Sequence, residues 1–173
     1  MRAMTNPRAI TRLVIHCSAS PNGRPVSIAE IDAWHKARGF HRAPAAVLRW
    51  NPTLKHIGYH FVIGVDGATS TGRSEGEIGA HVVGANINSL GLCMVGTDSF
   101  TPAQWLALRN QVGALIEFLP EMEVVGHRDL SPDKNGDGRI TSDEWLKRCP
   151  GFDVAAWLAN GMRPETAHVL DAT

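Results

Sequence analysis

Short apolar runs alternate with helix-start signals along this chain, and this alternation restricts it to a mixed α/β fold. The runs have the length of buried strands and are RLVIHC (12–17), GYHFVIGV (58–65), LGLCMVG (90–96) and EVVGH (123–127). Between them, Ser27 with Glu30 and Thr101 with Gln104 form capping boxes, which mark the first turns of helices. We therefore predict a single α/β domain with a central mixed β-sheet flanked by helices.

Turn and breaker residues set the expected boundaries of these elements. The first helix is predicted to end at Gly39, and residues 41–56 are predicted to form a loop or a short helical piece. Asp66-Gly67 indicates a hairpin turn, followed by a strand over 69–72. A last short helix begins after Asp153 and ends at Gly161. The predicted organisation is an N-terminal extension (1–11), one domain (12–160) and a flexible tail (161–173).

Charge and composition exclude several classes of function. Seventeen basic and seventeen acidic residues cancel, so nothing in the charge favours nucleic acid or an anionic membrane surface. No apolar run approaches the roughly 20 residues that a membrane helix needs. The first residues lack the apolar segment and cleavage site of a signal peptide. We expect a monomer that is made in the cytoplasm without a signal peptide and does not insert into membranes.

Three residues stand where a metal site would be expected. His16 and His127 fall at the carboxyl ends of two predicted strands, the edge at which open α/β sheets bind ligands. Cys149 precedes the last helix. Two imidazoles and one thiolate would leave a tetrahedral zinc ion one open position, as in catalytic zinc sites. The alternative is that each of the three is a separately satisfied core residue.

The segment from Asp133 to Glu144 matches the pattern of a calcium-binding EF-hand loop. The predicted calcium ligands are Asp133, Asn135, Asp137, the carbonyl of Arg139, and Glu144. Only one such loop is present, and a strand rather than a helix precedes it, which argues against a paired calcium sensor. We expect a lone structural calcium loop, or a loop that keeps this shape without metal.

Several sequence blocks, in this order, resemble type 2 N-acetylmuramoyl-L-alanine amidases, within the peptidoglycan recognition protein superfamily. They are VIHCSAS, WHKARG, IGYHFVIGVDG, GRSEGEIGAHVVGANINSLGLCMVG, FTPAQ, GHRDLSP and KRCPGFD, which span residues 12–158. The similarity is strongest to short phage lysozymes that are zinc amidases. It implies hydrolysis of the amide bond between N-acetylmuramic acid and L-alanine in peptidoglycan, most plausibly by a phage or prophage endolysin that acts on the cell wall after release.

The same resemblance implies a role for individual positions. His16, His127 and Cys149 correspond to the zinc ligands, and Tyr59 and Lys147 to the catalytic tyrosine and lysine. His81 and Asn88 correspond to a loop that borders the substrate groove, where they are expected to contact peptide or sugar. For His81 a purely structural role is the alternative. The leaving amine could receive its proton from Lys147, from Tyr59 or from a zinc-bound water. The segments 41–56 and 133–144 are longer here than in the short phage enzymes.

Other functions stay open at the level of sequence. A peptidoglycan-binding module of the same fold need not cleave its ligand, although such proteins generally lack the zinc thiolate. An amidase that recycles soluble muropeptides would use the same chemistry. A calcium-regulated protein with a degenerate enzyme site would change shape with calcium and would not depend on Cys149. A role in binding a protein partner has no support in the amino-terminal segment.

Overall fold

The computed structural model describes residues 8–171, in which five strands form one sheet. The strands are β1 (Arg12–Cys17), β2 (Phe61–Ile63), β3 (Thr69–Thr71), β4 (Ser89–Met94) and β5 (Glu123–Gly126). Their order in the sheet is β3-β2-β4-β1-β5. The β1–β4, β1–β5 and β2–β4 pairs are parallel, whereas β3 runs antiparallel to β2. The predicted mixed sheet of a single α/β domain is therefore confirmed.

Four helices connect or cover these strands: α1 (Ile28–Ala37), α2 (Pro44–Arg49), α3 (Pro102–Phe118) and α4 (Val154–Ala159). Both predicted capping boxes are present, with Ser27 and Glu30 at the start of α1 and Thr101 and Gln104 at the start of α3. Because each box satisfies free N–H groups of the first turn, these two helix starts follow from local sequence. The short helix α2 fulfils the prediction for residues 41–56.

Alternation along β1 decides which side chains reach the functional edge of the sheet. Leu13 and Ile15 point into the larger core cluster, which α3 and α4 cover with Trp105, Leu108 and Trp157. The smaller cluster lies on the other face and includes Ile31 of α1. His16 has the opposite parity to Leu13 and Ile15, so its side chain emerges on the face covered by α1, at the carboxyl end of the strand.

The predicted strand over 58–65 is shorter in the structure, where β2 contains only residues 61–63. Gly58 and Tyr59 leave the ladder because their backbone groups bond elsewhere. Gly58 N–H donates to His35 Nδ1, and the carbonyl of Tyr59 accepts from Arg73 N–H. Tyr59 is thereby held beside α1 and the segment after β3, and not within a regular strand.

The two ends of the described chain are attached to the domain. Within the predicted N-terminal extension, Arg8 donates hydrogen bonds to the carbonyls of Asn86 and Glu75; residues 1–7 lie outside the described residues. Part of the predicted flexible tail is also attached to the domain. The backbone of Phe100 exchanges hydrogen bonds with His168 and Leu170, and Val169 is half-buried against the core. Residues 172 and 173 lie outside the described residues.

Candidate functional site

Two histidines meet at the carboxyl edge of the sheet. His16 is the fifth residue of β1 and is 1% exposed, whereas His127 directly follows β5 and begins a short 3₁₀ helix (His127–Leu130). Since β1 and β5 are parallel neighbours, their carboxyl ends lie side by side. The two imidazole rings are 4.7 Å apart between centroids, with an angle of 65° between their planes. The sheet pairing thus places both rings at one point.

Cys149 reaches the same point through contacts between its loop and the turn after β5. Arg128 N–H donates to the carbonyl of Cys149 at 2.8 Å. Gly126 leaves room for Pro150, since a Cβ at Gly126 would lie 2.7 Å from Pro150 Cδ. As a result, Cys149 Sγ lies 3.7 Å from His16 Nδ1.

The three residues form a candidate metal site. One ligand atom each from His16, His127 and Cys149 lies within 4.8 Å of the other two. Between residues 8 and 171, no other group of three or more His, Cys, Asp or Glu side chains converges in this way. The three side chains therefore lie together, and not at three separate places in the core.

The ionisation of the three side chains suits a metal ion. Burial lowers the pKa of His16, and it lowers the pKa of His127 to about 4, so both imidazoles are neutral and have lone pairs to donate at neutral pH. A hydrogen bond with Cys17, together with burial, raises the pKa of the Cys149 thiol. A coordinated cation reverses that balance and deprotonates the thiol. Cys17 N–H, which donates to Cys149 Sγ at 3.2 Å, would then stabilise the thiolate.

Tyr59 and Lys147 line the same small cavity, of about 130 Å³, as the three candidate ligands. The Tyr59 ring lies 5.1 Å from the His16 ring between centroids. Burial raises the pKa of Tyr59, so its phenol keeps its proton and can donate a hydrogen bond. Lys147 is exposed at the rim and contributes a positive charge that helps lower the pKa of both histidines. The cavity therefore combines a metal-binding group with two proton-bearing side chains.

His81 contacts His16 on the side of its ring away from Cys149. Its Nδ1 lies 3.0 Å from His16 Nε2, so His16 can present Nδ1 toward Cys149 while its Nε2–H donates to His81. Burial lowers the pKa of His81 to about 2, which keeps its ring neutral and able to accept that bond. The ring occupies space left by Gly91 on β4, where a Cβ would lie 2.7 Å from His81 Cδ2. His81 was predicted to contact substrate, but these contacts make it first a partner of His16.

We predict that removing the acceptor at position 81 weakens metal binding. His81→Leu loses the bond that orients His16, and partners of this kind typically contribute about 10–100-fold in metal affinity. His81→Asn keeps an acceptor near the Nδ1 position and should retain most of that affinity. Competition with a chromophoric chelator measures both variants. Equal affinities for the two variants would contradict this role.

A larger cavity of about 310 Å³ adjoins the metal group and shares His127, His81 and Lys147 with it. Arg38 and Lys147 are the cations that line it, and none of the described residues that line it is acidic. Asn86 also lines it, and its Oδ1 accepts N–H bonds from His81 and Val82. The cavity is therefore suited to a ligand that carries negative charge.

Asn88 does not take the predicted position. Its Nδ2 donates to Thr11 Oγ1 at 3.0 Å, and its carbonyl accepts Thr11 N–H. It lines neither cavity of the site, because these bonds tie it to the residue before β1. The prediction that Asn88 contacts substrate has no support in this geometry.

The carboxylates of the EF-hand-like loop accept hydrogen bonds from backbone N–H groups of the same loop. The Glu144 carboxylate accepts N–H bonds from Lys134, Asn135 and Thr141, and Glu144 is only 2% exposed. Asp133 accepts from the N–H groups of Gly136 and Gly138. Asn135 and Asp137 accept from Asp137 N–H and Arg139 N–H, respectively. The side chains predicted to bind calcium thus close the turns of the loop, and the arrangement does not support a calcium site.

Sequence reasoning did not single out Arg38 and Phe40, which line both cavities of the site. A signal was available, because Arg38 lies within the WHKARG block and Phe40 directly follows it.

Along residues 8–171, none of the helices has both the length and the apolarity required to cross a lipid bilayer.

Comparison with known proteins gives a consistent result. The family model described as N-acetylmuramoyl-L-alanine amidase matches residues 6–151. The endolysin of Enterobacteria phage T3 is 32% identical over 160 residues, which cover 87% of each chain. An uncharacterised protein of Haemophilus influenzae is 51% identical over 102 residues, which cover 54% of this chain and 88% of that one. Among solved structures, an endolysin amidase from Clostridium intestinale superposes with a TM-score of 0.61 at 24% identity, covering 84% of this chain and 78% of its own.

Proposed function

The chain belongs to the N-acetylmuramoyl-L-alanine amidase family, and on that premise we propose that it is a zinc-dependent amidase that cuts peptidoglycan as an endolysin. The bond cut is the amide between the lactyl group of N-acetylmuramic acid and L-alanine. His16, His127 and Cys149 would hold the zinc ion. Zinc in such a site polarises a carbonyl group and lowers the pKa of a bound water to about 7.

The observation that carries this proposal is the convergence of three ligand atoms within 4.8 Å in a cavity that also contains Tyr59 and Lys147. Two neutral imidazoles and one thiolate form a three-ligand set, which leaves space for substrate or water on a tetrahedral ion. A purely structural zinc site would use four protein ligands. The ligand count therefore favours catalysis over a structural role.

Tyr59 and Lys147 act on the negative charge that develops as the amide is attacked. The Lys147 ammonium lies at the rim, where it stabilises the oxyanion of the tetrahedral intermediate. Tyr59 keeps its proton because it is buried, so it donates a hydrogen bond to an oxygen at the reacting centre. Either side chain can pass a proton to the leaving amine of L-alanine.

The stem peptide of the substrate lies in the 310 Å³ cavity beside the metal group. A peptidoglycan stem peptide carries free carboxylates, and the cavity presents Arg38 and Lys147 with no acidic residue among its described lining. The Arg38 guanidinium stacks on the Phe40 ring at 5.3 Å, which holds it at the cavity wall. Opposite charges thus favour the peptide on this side of the scissile bond.

The endolysin role is supported by the similarity to phage endolysins over most of both chains. A non-hydrolytic binding module would not need Cys149, Tyr59 and Lys147 around one cavity. The enzyme acts on the cell wall as a monomer. Calcium has no part in this proposal.

Mass spectrometry of digested peptidoglycan tests the proposal. Purified sacculi treated with the protein should release stem peptides with a free L-alanine amino terminus and leave peptide-free glycan strands. Chelator should stop the release, and added zinc should restore it. New reducing ends on the sugars, cuts inside the peptide, or binding without any product would each overturn the assignment.

A further inference from the structure

A wide cleft lies next to the candidate site and contains none of the three candidate metal ligands. It has a volume of about 840 Å³ and is formed by α2 with the segment 73–79. Gly79 lines this cleft, and the next residue, Ala80, lines both cavities of the candidate site. Consecutive residues of one segment thus line the cleft and the site, and a long polymer is the class of ligand that would contact both.

A buried ion pair holds the two walls of the cleft in place. The Arg42 side chain is 0% exposed and donates to Glu77 Oε2 at 2.8 Å. Arg42 also donates to the carbonyls of Trp50, Asn51 and Leu54, the residues that follow α2. One side chain thus joins the end of α2 to the segment opposite, which gives the cleft a preformed shape.

The lining of the cleft combines a partly exposed aromatic side chain with hydrogen-bonding groups. Trp50 lines it and is 43% exposed. Glu77 is paired with Arg42 and lies 3.6 Å from Arg73, so it presents no free negative charge. Arg49 adds a positive charge and, together with Ser74, supplies hydrogen-bond donors. An exposed indole beside several donors suits a ligand with one apolar face and many hydroxyl groups.

We propose that this cleft binds the glycan strand of peptidoglycan next to the muramic acid that is cut, with Trp50 stacked on a sugar ring. This inference rests on the proposed function, which brings a polymer to the adjoining cavity. A pyranose ring has a face of C–H groups that packs on an indole, and its hydroxyl and acetamido groups bond to polar side chains. The binding energy is remote from the scissile amide, so it acts on long strands and not on short fragments.

Kinetics on substrates of two lengths test the glycan cleft. Trp50→Ala should raise KM for long glycan strands that carry stem peptides by about 10-fold, because only these substrates reach the cleft. Hydrolysis of a single disaccharide-peptide should not change. Trp50→Phe should recover most of the loss. Leu48→Ala is the matched control, since Leu48 lies on α2 two residues before Trp50, is 81% exposed and does not line the cleft.

Two results would overturn the inference: an unchanged KM for long strands in Trp50→Ala, or an equal loss on both substrates, which would indicate a general structural defect. Calorimetry with peptide-free glycan oligosaccharides gives a second readout that needs no hydrolysis. Wild type should bind them and Trp50→Ala should bind at least about 10-fold more weakly. Binding of free stem peptide at Trp50 and Arg49 instead of glycan would also overturn it.

The calorimetry also separates this inference from the proposed function. If wild-type protein released no L-alanine termini but bound glycan through Trp50, the amidase proposal would fail and the glycan cleft would stand. If it released the termini and bound no glycan, the reverse would hold.

Discussion

Cys149→Ser is expected to remove bound zinc and to lower the rate of L-alanine release by about 1,000-fold or more. Sulfur is the only anionic ligand in the proposed set, and a serine hydroxyl does not ionise at neutral pH to replace it. Loss of the ion removes both carbonyl polarisation and water activation, and a single electrostatic contributor of this kind is typically worth about 100–1,000-fold. Metal analysis of the purified variant and mass spectrometry of wall digests measure the two effects on one sample.

The matched control is Cys17→Ser, which changes the neighbouring thiol. Cys17 bonds to Cys149 through its backbone N–H and through its side chain. The substitution leaves the N–H in place and keeps a hydrogen-bonding hydroxyl group at the side chain. This variant should keep its zinc and most of its activity. Full zinc content in Cys149→Ser, or an equal loss in both variants, would remove Cys149 from the ligand set.

Among the substitutions proposed here, Glu77→Gln is expected to cost the most stability, about 3 kcal/mol in the free energy of unfolding. The substitution keeps the shape of the side chain but leaves the buried Arg42 and Arg73 without a counter-charge. Removing one partner of a buried ion pair destabilises a protein by far more than the intact pair stabilises it, because the remaining charge stays desolvated. Urea unfolding followed by circular dichroism measures the change.

Glu123→Gln is the matched control, because Arg12 and Glu123 form an exposed pair with side chains 29% and 56% exposed. Solvent screens such a pair, so its loss should cost less than about 1 kcal/mol. A similar loss in the free energy of unfolding for Glu77→Gln and Glu123→Gln would contradict the prediction, because burial of the Arg42 ion pair would then make no difference to stability. A change in the slope of the Glu77→Gln transition would instead indicate an altered denatured state.

Local signals in the sequence predicted most of the secondary structure correctly. The two capping boxes form as predicted, because their hydrogen bonds join residues three positions apart. The strand at 58–65 was predicted too long, since Gly58 N–H donates to His35 and the carbonyl of Tyr59 accepts from Arg73, and these bonds take both residues out of the ladder. These partners lie at least fourteen positions away along the chain, beyond the reach of any local pattern.

The EF-hand-like loop shows what a sequence pattern leaves undetermined. Every ligand position of the pattern is filled, yet Glu144 accepts three backbone N–H bonds and Asp133 accepts two. A sequence pattern specifies residue types and spacing but not the direction in which a carboxylate points. The same side chains that would coordinate an ion can close the turns of the loop themselves.

The sequence by itself determined the fold class, the helix starts and, through resemblance, the three residues that could bind a metal. The tertiary structure alone decided that His81 stands behind His16, that Asn88 turns away, and that α2 builds a cleft beside the site. The physical reason is the distance along the chain. His16 and His81 are 65 positions apart, and only the pairing of β1 with β4 brings them within 3.0 Å.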